Sequence, residues 1–251
     1  MNQTSSSAPE ELASDTSSPP PQKDTPVSWN VLDAFLVLIV FIVFSLSLDV
    51  ILALLHVKLD INIVVFFLFG ETLVATAVNL SLIFYLIRRR GGKINELGLS
   101  FRKMTSSLNL GMGVGFALLF VNLASVIILR FVVGQELPTQ VVTEIVEKDR
   151  DLFRQVLMFF LAAAVAPVNE ETLIRGFLYQ SLKKKWGIAW GVVISAMIFT
   201  ILHIQPFLFP TIFILGIILA LLFEWRRSLL TNIIAHGTMN GIIFLLAAAA
   251  S

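Results

Sequence analysis

The chain contains no cysteine, which removes disulfides, thiolate nucleophiles and zinc-thiolate sites together and leaves the compartment unreadable from redox chemistry. Charge is scarce as well. Asp, Glu, Lys and Arg make up 14% of the 251 residues, and the formal net charge is +1, so nothing points to nucleic acid as a partner. Histidine occurs three times, at His56, His203 and His236. The N-terminal stretch lacks the basic segment and short apolar run of a signal peptide, so the first apolar helix is expected to stay as an anchor.

Apolar residues fill the space that charge leaves. Hydrophobic types make up 57% of the sequence, 21 residues are Phe, and the mean hydropathy is +0.86. That composition lies outside the globular range and predicts an all-α, polytopic membrane helix bundle. Residues 1–28, rich in Ser, Thr and Pro, hold too few apolar side chains to offset the entropy of ordering and read as a disordered cytoplasmic tail. Residues 29–251 form the membrane body.

A bilayer core takes roughly 20 apolar residues per helix. Seven spans are expected, with six to eight possible, over about 34–55, 63–87, 108–129, 152–182, 186–204, 207–223 and 228–250. The fourth is too long for one straight crossing, and Pro206 and Pro210 interrupt helical bonding between the fifth and sixth. Lysines and arginines set the orientation. Lys23, Arg88, Arg89, Arg90, Lys93, Arg102, Lys103, Lys183, Lys184, Lys185, Arg226 and Arg227 fall on the tail's side. Lys58, Arg130, Lys148, Arg150 and Arg154 fall opposite. Twelve against five predicts a cytoplasmic N-terminus in the cell membrane. The clusters are topology anchors that also attract anionic membrane lipids.

Against this background the window AVAPVNEETLIRGF, Ala164 to Phe177, is anomalous. Thirteen uncharged residues end at Val168, and then Glu170, Glu171 and Arg175 arrive within six positions. A charge at the centre of a span costs a few kcal/mol and marks a functional site by default. Glu171 and Arg175, four apart, share a helical face and pair. Glu170, about 100° round the helix, points elsewhere.

Other polar residues in the spans supply partners for Glu170. His203 ends FTILH, and His236 opens HGTMN, with Asn240 one turn on. His56 reads as a solvated interfacial residue. Counted at about 1.5 Å per residue from the basic clusters, Glu170, His203 and His236 sit near mid-membrane. Straight helices leave a mismatch of roughly 13 Å, to be absorbed by tilt, staggered starts and a break near Pro167. Glu170, His203 and His236 also form a possible zinc-ligand set, although the helical HExxH spacing is absent and the Asn240 amide suits an oxyanion donor better than a metal ligand. Gly111, Gly113 and Gly115, and likewise Gly237 and Gly241, are small-residue packing faces. Glu71 in the second span reads as a structural carboxylate.

The motifs EETLIR, FTILH and HGTMN, in this order on successive membrane segments, resemble those of the CAAX-protease and bacteriocin-processing (Abi) family of glutamate-type intramembrane endopeptidases. The match falls on Glu170, Glu171 and Arg175, on Phe199 and His203, and on His236 and Asn240, and covers about residues 150–245. The resemblance implies a peptidase without a required cofactor, acting on a membrane-associated or lipidated peptide or protein. It implies that Glu170 and His203 activate a water, that His236 and Asn240 form the oxyanion hole, and that Glu171, Arg175 and Phe199 support the site. A transporter or proton relay using Glu71, Glu170, Arg175 and the histidines is the alternative among pathways, although no inverted repeat is visible. A catalytically silent adaptor or immunity protein is the alternative among binding functions, and the intact quartet weighs against it.

Overall fold

The structure, a computed structural model, describes residues 27–54, 60–101, 104–134 and 151–250. The tail over 1–26, His56, Lys58, Arg102, Lys103, Lys148 and Arg150 lie outside the described residues. Every regular element among the described residues is helical, as expected of a chain whose backbone groups must find partners away from water.

Helix α1 spans Val31–Leu54, α2 Ile61–Arg89 and α3 Met104–Val133. A single helical run, Leu152–Leu202, follows. It divides at Gly187, whose φ of 83° and ψ of 175° are non-helical, into α4 (residues 152–186) and α5 (residues 188–202). Helices α6, Phe209–Arg226, and α7, Leu229–Ala250, complete the bundle. Five stretches are long and apolar enough to cross a membrane, Val31–Leu46 is a shorter apolar one, and the longest of the five is the 51-residue run. Split at Gly187, these give the seven helices expected.

The bundle keeps apolar side chains on both its inside and its outside, as a protein solvated by lipid does. Phe116, Phe120, Ile127 and Phe131 of α3 are exposed. On the opposite face of α3, a Cβ added at Gly111 or Gly115 would come within 2.9 Å of the Thr231 carbonyl and 2.7 Å of the Ala235 carbonyl on α7. The backbones therefore touch through these two glycines. Gly113 meets nothing within 4 Å and does not belong to the packing face expected of the GxGxG stretch.

The basic clusters expected on one side do gather at one end. Arg90 pairs with Asp33 at 2.9 Å, and Lys183 and Arg227 both reach Glu224, at 2.9 and 2.8 Å. Lys184 donates to the carbonyls of Val27 and Trp29. Val27 is buried and the Ser28 amide donates to Glu96 at 2.8 Å. Trp29, fully buried, stacks on Phe177 and donates its indole N–H to the Phe177 carbonyl. The entry of the chain is thus tied to α4, the helix that carries the paired glutamates.

Helix α4 is not a regular α-helix. Residues Leu161–Val165 and Thr172–Tyr179 are π-helical and flank the α-helical segment Ala166–Glu171, a deviation that tends to mark functional positions. Pro167 lacks the N–H that would bond the Ala163 carbonyl. The helix continues through it rather than breaking as expected, because the wide turn at 161–165 takes up the lost bond. Side chains occupy carbonyls around the second wide stretch. The Thr172 hydroxyl donates to Val168, Gln180 to Gly176, and Ser181 to Leu178. The wide turns of α4 and the restart of α5 at Gly187 depart from the straight helices assumed in the depth count.

Candidate active site

Glu171 and Arg175 pair as the spacing predicts, at 2.8 Å, with both side chains fully buried. In a low-dielectric interior such a pair is supported by further hydrogen bonds, although Arg175 Nε stays buried without one among the described residues. Arg175 donates a second time to the Gly216 carbonyl of α6 at 3.1 Å and lies 4.3 Å from the centroid of the Phe199 ring. Glu171 accepts from Asn232 at 3.2 Å and from His236 Nδ1 at 2.9 Å. The expected bracing pair is therefore the centre of a network joining α4, α6 and α7 to Phe199 of α5, and one of its partners is a histidine of the site.

Phe199 is the packing hub expected one turn before His203. Its ring meets the His203 ring at 4.5 Å and the His236 ring at 5.9 Å, both edge-on. Its carbonyl lies 2.8 Å from His203 Nδ1. A carbonyl only accepts, so Nδ1 carries the proton and Nε2 of the neutral ring is left with its lone pair.

Glu170 turns away from this network, as its position on the helix requires. It lines a cavity of about 270 Å³ together with His203, His236 and Asn240. Four side chains from two helices and the loop that ends α5, separated by up to 70 positions in the sequence, thus share one space. Glu170 Oε2 lies 3.8 Å from His236 Nε2. That oxygen is buried and makes no hydrogen bond with any described residue. Asn240 Nδ2 is 3.4 Å from the Ala162 carbonyl, a long contact that leaves the amide able to donate elsewhere. Most of the remaining wall is apolar, with Ile212, Leu215, Leu219, Met239 and Phe244 among its residues.

A zinc site built on Glu170, His203 and His236 is not assembled: among the described residues no group of three or more His, Asp or Glu is arranged to hold a metal ion. His236 spends Nδ1 on Glu171 and His203 spends Nδ1 on Phe199.

Several site residues carried weaker sequence signals. Asn232, one turn before His236, bridges Glu171 and the Leu219 carbonyl. Its spacing of four to His236 and eight to Asn240 puts all three on one face of α7. Asn79 of α2 donates to Asn169 at 2.5 Å, fixing α2 against α4 immediately before Glu170. Glu71 lines a second cavity, about 350 Å³, that shares Glu170, Ala162 and Ala166 with the first. Gln205, between α5 and α6, lines the first cavity.

Residues 152–242 match the family described as Type II CAAX prenyl endopeptidase Rce1-like. The chain is 26% identical over 141 residues to the membrane-embedded CAAX protease MroQ of Staphylococcus aureus (strain USA300), a stretch covering 53% of this chain and 55% of that protein. It therefore spans about half the length of the curated relative it matches. No solved structure matches it. The segment that carries EETLIR, FTILH and HGTMN is thus similar to the Rce1-like family and to a membrane-embedded CAAX protease, in keeping with the resemblance those motifs carry.

Proposed function

We propose that this chain is an intramembrane endopeptidase of the glutamate type, hydrolysing a peptide bond of a membrane-associated or lipidated protein in the cavity lined by Glu170, His203, His236 and Asn240. The observation that carries this reading is Glu170 Oε2, a buried carboxylate oxygen with no hydrogen-bond partner among the described residues, 3.8 Å from His236 in the cavity it shares with His203. Buried acceptors are ordinarily satisfied, and an exception in a polar pocket is a reason to look for chemistry there.

A water held between Glu170 and His203 Nε2 gives up a proton while its oxygen bonds to the scissile carbonyl carbon. His236 faces Glu171 through Nδ1 and Glu170 through Nε2. In its doubly protonated form it donates from Nε2, and with the Asn240 amide it stabilises the oxyanion. The C–N bond then breaks, and the proton taken from water passes to the departing amine. One water is consumed and no covalent enzyme intermediate forms. Glu171, held by Arg175 and Asn232, positions the His236 ring.

The twelve-to-five distribution of basic residues supports placing the domain in the cell membrane with a cytoplasmic N-terminus. The test of the activity is a library of synthetic peptides with S-farnesyl-cysteine or palmitoyl anchors in phosphatidylglycerol-containing vesicles, read by mass spectrometry. Cleavage of at least one member by the wild-type protein and loss of that cleavage in Glu170→Gln are expected. No cleavage of any member, or equal cleavage by Glu170→Gln, overturns the reading. The first of these outcomes favours the adaptor.

A further inference from the structure

The loop that follows His203 contains a backbone outlier. Helix α5 ends with the His203 and Ile204 amides bonded three residues back, to Thr200 and Ile201. Ile204 then takes a φ of 52°, the left-handed conformation that helix ends usually assign to glycine and that a β-branched side chain resists. Ile204 is 73% exposed, so no buried packing of its own compensates. Strain of this kind persists where the surroundings require it, and the inference runs from the outlier to a function.

What the kink delivers is Gln205. This residue lines the first cavity with the four site residues, and its Oε1 is buried without a hydrogen-bond partner. It stands at the start of the short turn Pro206–Leu208, yet its side chain makes no capping hydrogen bond there. The carboxamide therefore serves neither the turn nor a neighbouring element, and it faces the space that Glu170 and His203 share.

The chemistry of that space says what a carboxamide is for. A peptide entering an apolar cavity within the membrane gives up its water and its helical bonds, and each peptide group then needs a new partner. A glutamine offers both a donor and an acceptor, matching a peptide group whatever its side chain. Resting on the peptidase reading above, we propose that Gln205 is a substrate-binding residue whose carboxamide pairs with a main-chain peptide group of an extended substrate segment beside the scissile bond, held in place by the left-handed turn at Ile204.

The test uses the full-length protein in phosphatidylglycerol-containing vesicles and the lipid-anchored library peptide that the wild type cleaves fastest. In Gln205→Met, which is close in size and apolar, kcat/KM falls about 10- to 100-fold, mostly through KM. Replacing the backbone amides around the scissile bond by esters, one at a time, separates a substrate contact from a structural effect. One ester slows the wild type by a comparable factor and leaves Gln205→Met unaffected, as coupled partners require. Ile204→Gly, which removes the strain and keeps Gln205, raises KM several-fold with an unfolding midpoint no lower than the wild type's. Wild-type kinetics in Gln205→Met, or ester penalties of equal size in both proteins, overturn the proposal and leave the peptidase reading intact. Absence of Glu170-dependent cleavage across the library removes the peptidase reading and this proposal with it.

Discussion

His236 Nδ1 and Arg175 Nη1 converge on the same oxygen, Oε1 of Glu171, at 2.9 and 2.8 Å. One fully buried carboxylate therefore holds both the counter-ion that lets it stay charged and the ring that faces the cavity. Stability and function meet at this atom and are separable there.

Arg175→Ala strands Glu171 without its cation and is expected to cost about 3–5 kcal/mol of stability. The double variant Glu171→Leu with Arg175→Met replaces the pair by apolar groups of similar size and is expected to recover most of that loss. It should not recover cleavage, because His236 loses the partner of Nδ1. Thermal unfolding in detergent and peptide cleavage, measured on the same preparations, check both statements. An Arg175→Ala protein of normal stability and no activity would move Arg175 from support into the reaction.

Gly237 marks the second close approach. A Cβ there would lie 2.3 Å from the Ala163 carbonyl. Since the obstacle is backbone, the helices must part, and α7 carries His236 with it. Gly237→Ala is expected to lower both the unfolding midpoint and cleavage, whereas Gly113→Ala, with open space around it, should change neither. Equal behaviour of the two variants would show that α4 and α7 do not rely on this contact.

How much of this was legible in the sequence follows from range. The Glu171–Arg175 pair, the Phe199–His203 contact and the shared face of His236 and Asn240 each lie within one helical turn, where spacing alone fixes neighbours. The seven helices follow from apolar run lengths. The joining of Glu171 to His236, 65 positions apart, depends on which helix faces which, and periodicity carries no such information. The wide turns of α4 escaped because a π-helical stretch has no propensity signature, and Pro167 predicts a break more readily than a bulge. Gln205 was hidden by its position in the short loop just before Pro206. What singles it out is the φ of Ile204, a conformation its residue type argues against.

The grouping of Arg90, Lys183, Lys184, Arg226 and Arg227 at one end of the bundle makes topology directly testable. The chain has no native cysteine, so single cysteines placed near Lys93, Lys185 and Arg227 report location without background. All three are expected to resist an impermeant reagent added to intact cells and to react once the membrane is opened. A cysteine placed beside Arg130 should behave in the opposite way. Labelling of the first three from outside would invert the bundle.

The last prediction separates the two parts of the proposed chemistry by magnitude. Glu170 and His203 act on the attacking water, so Glu170→Gln and His203→Ala each remove a group that must accept a proton, and both are expected to abolish nearly all cleavage. His236 and Asn240 act on the oxyanion, where loss of one donor ordinarily costs about 10²–10³ in rate. His236→Ala and Asn240→Ala should fall in that range and retain measurable turnover. His236→Ala should be the more damaging of the two, since it also removes one of the three hydrogen bonds that Glu171 accepts. Each variant needs its unfolding midpoint measured, because only a change in rate without a change in stability speaks to chemistry. The same preparations, assayed after exhaustive chelation with metal content determined, decide what activates the water. Turnover that survives chelation, with the four variants graded as stated, is the expected result. Stoichiometric zinc whose removal stops cleavage and whose return restores it would instead make His203 and His236 ligands, and the glutamate mechanism would fall.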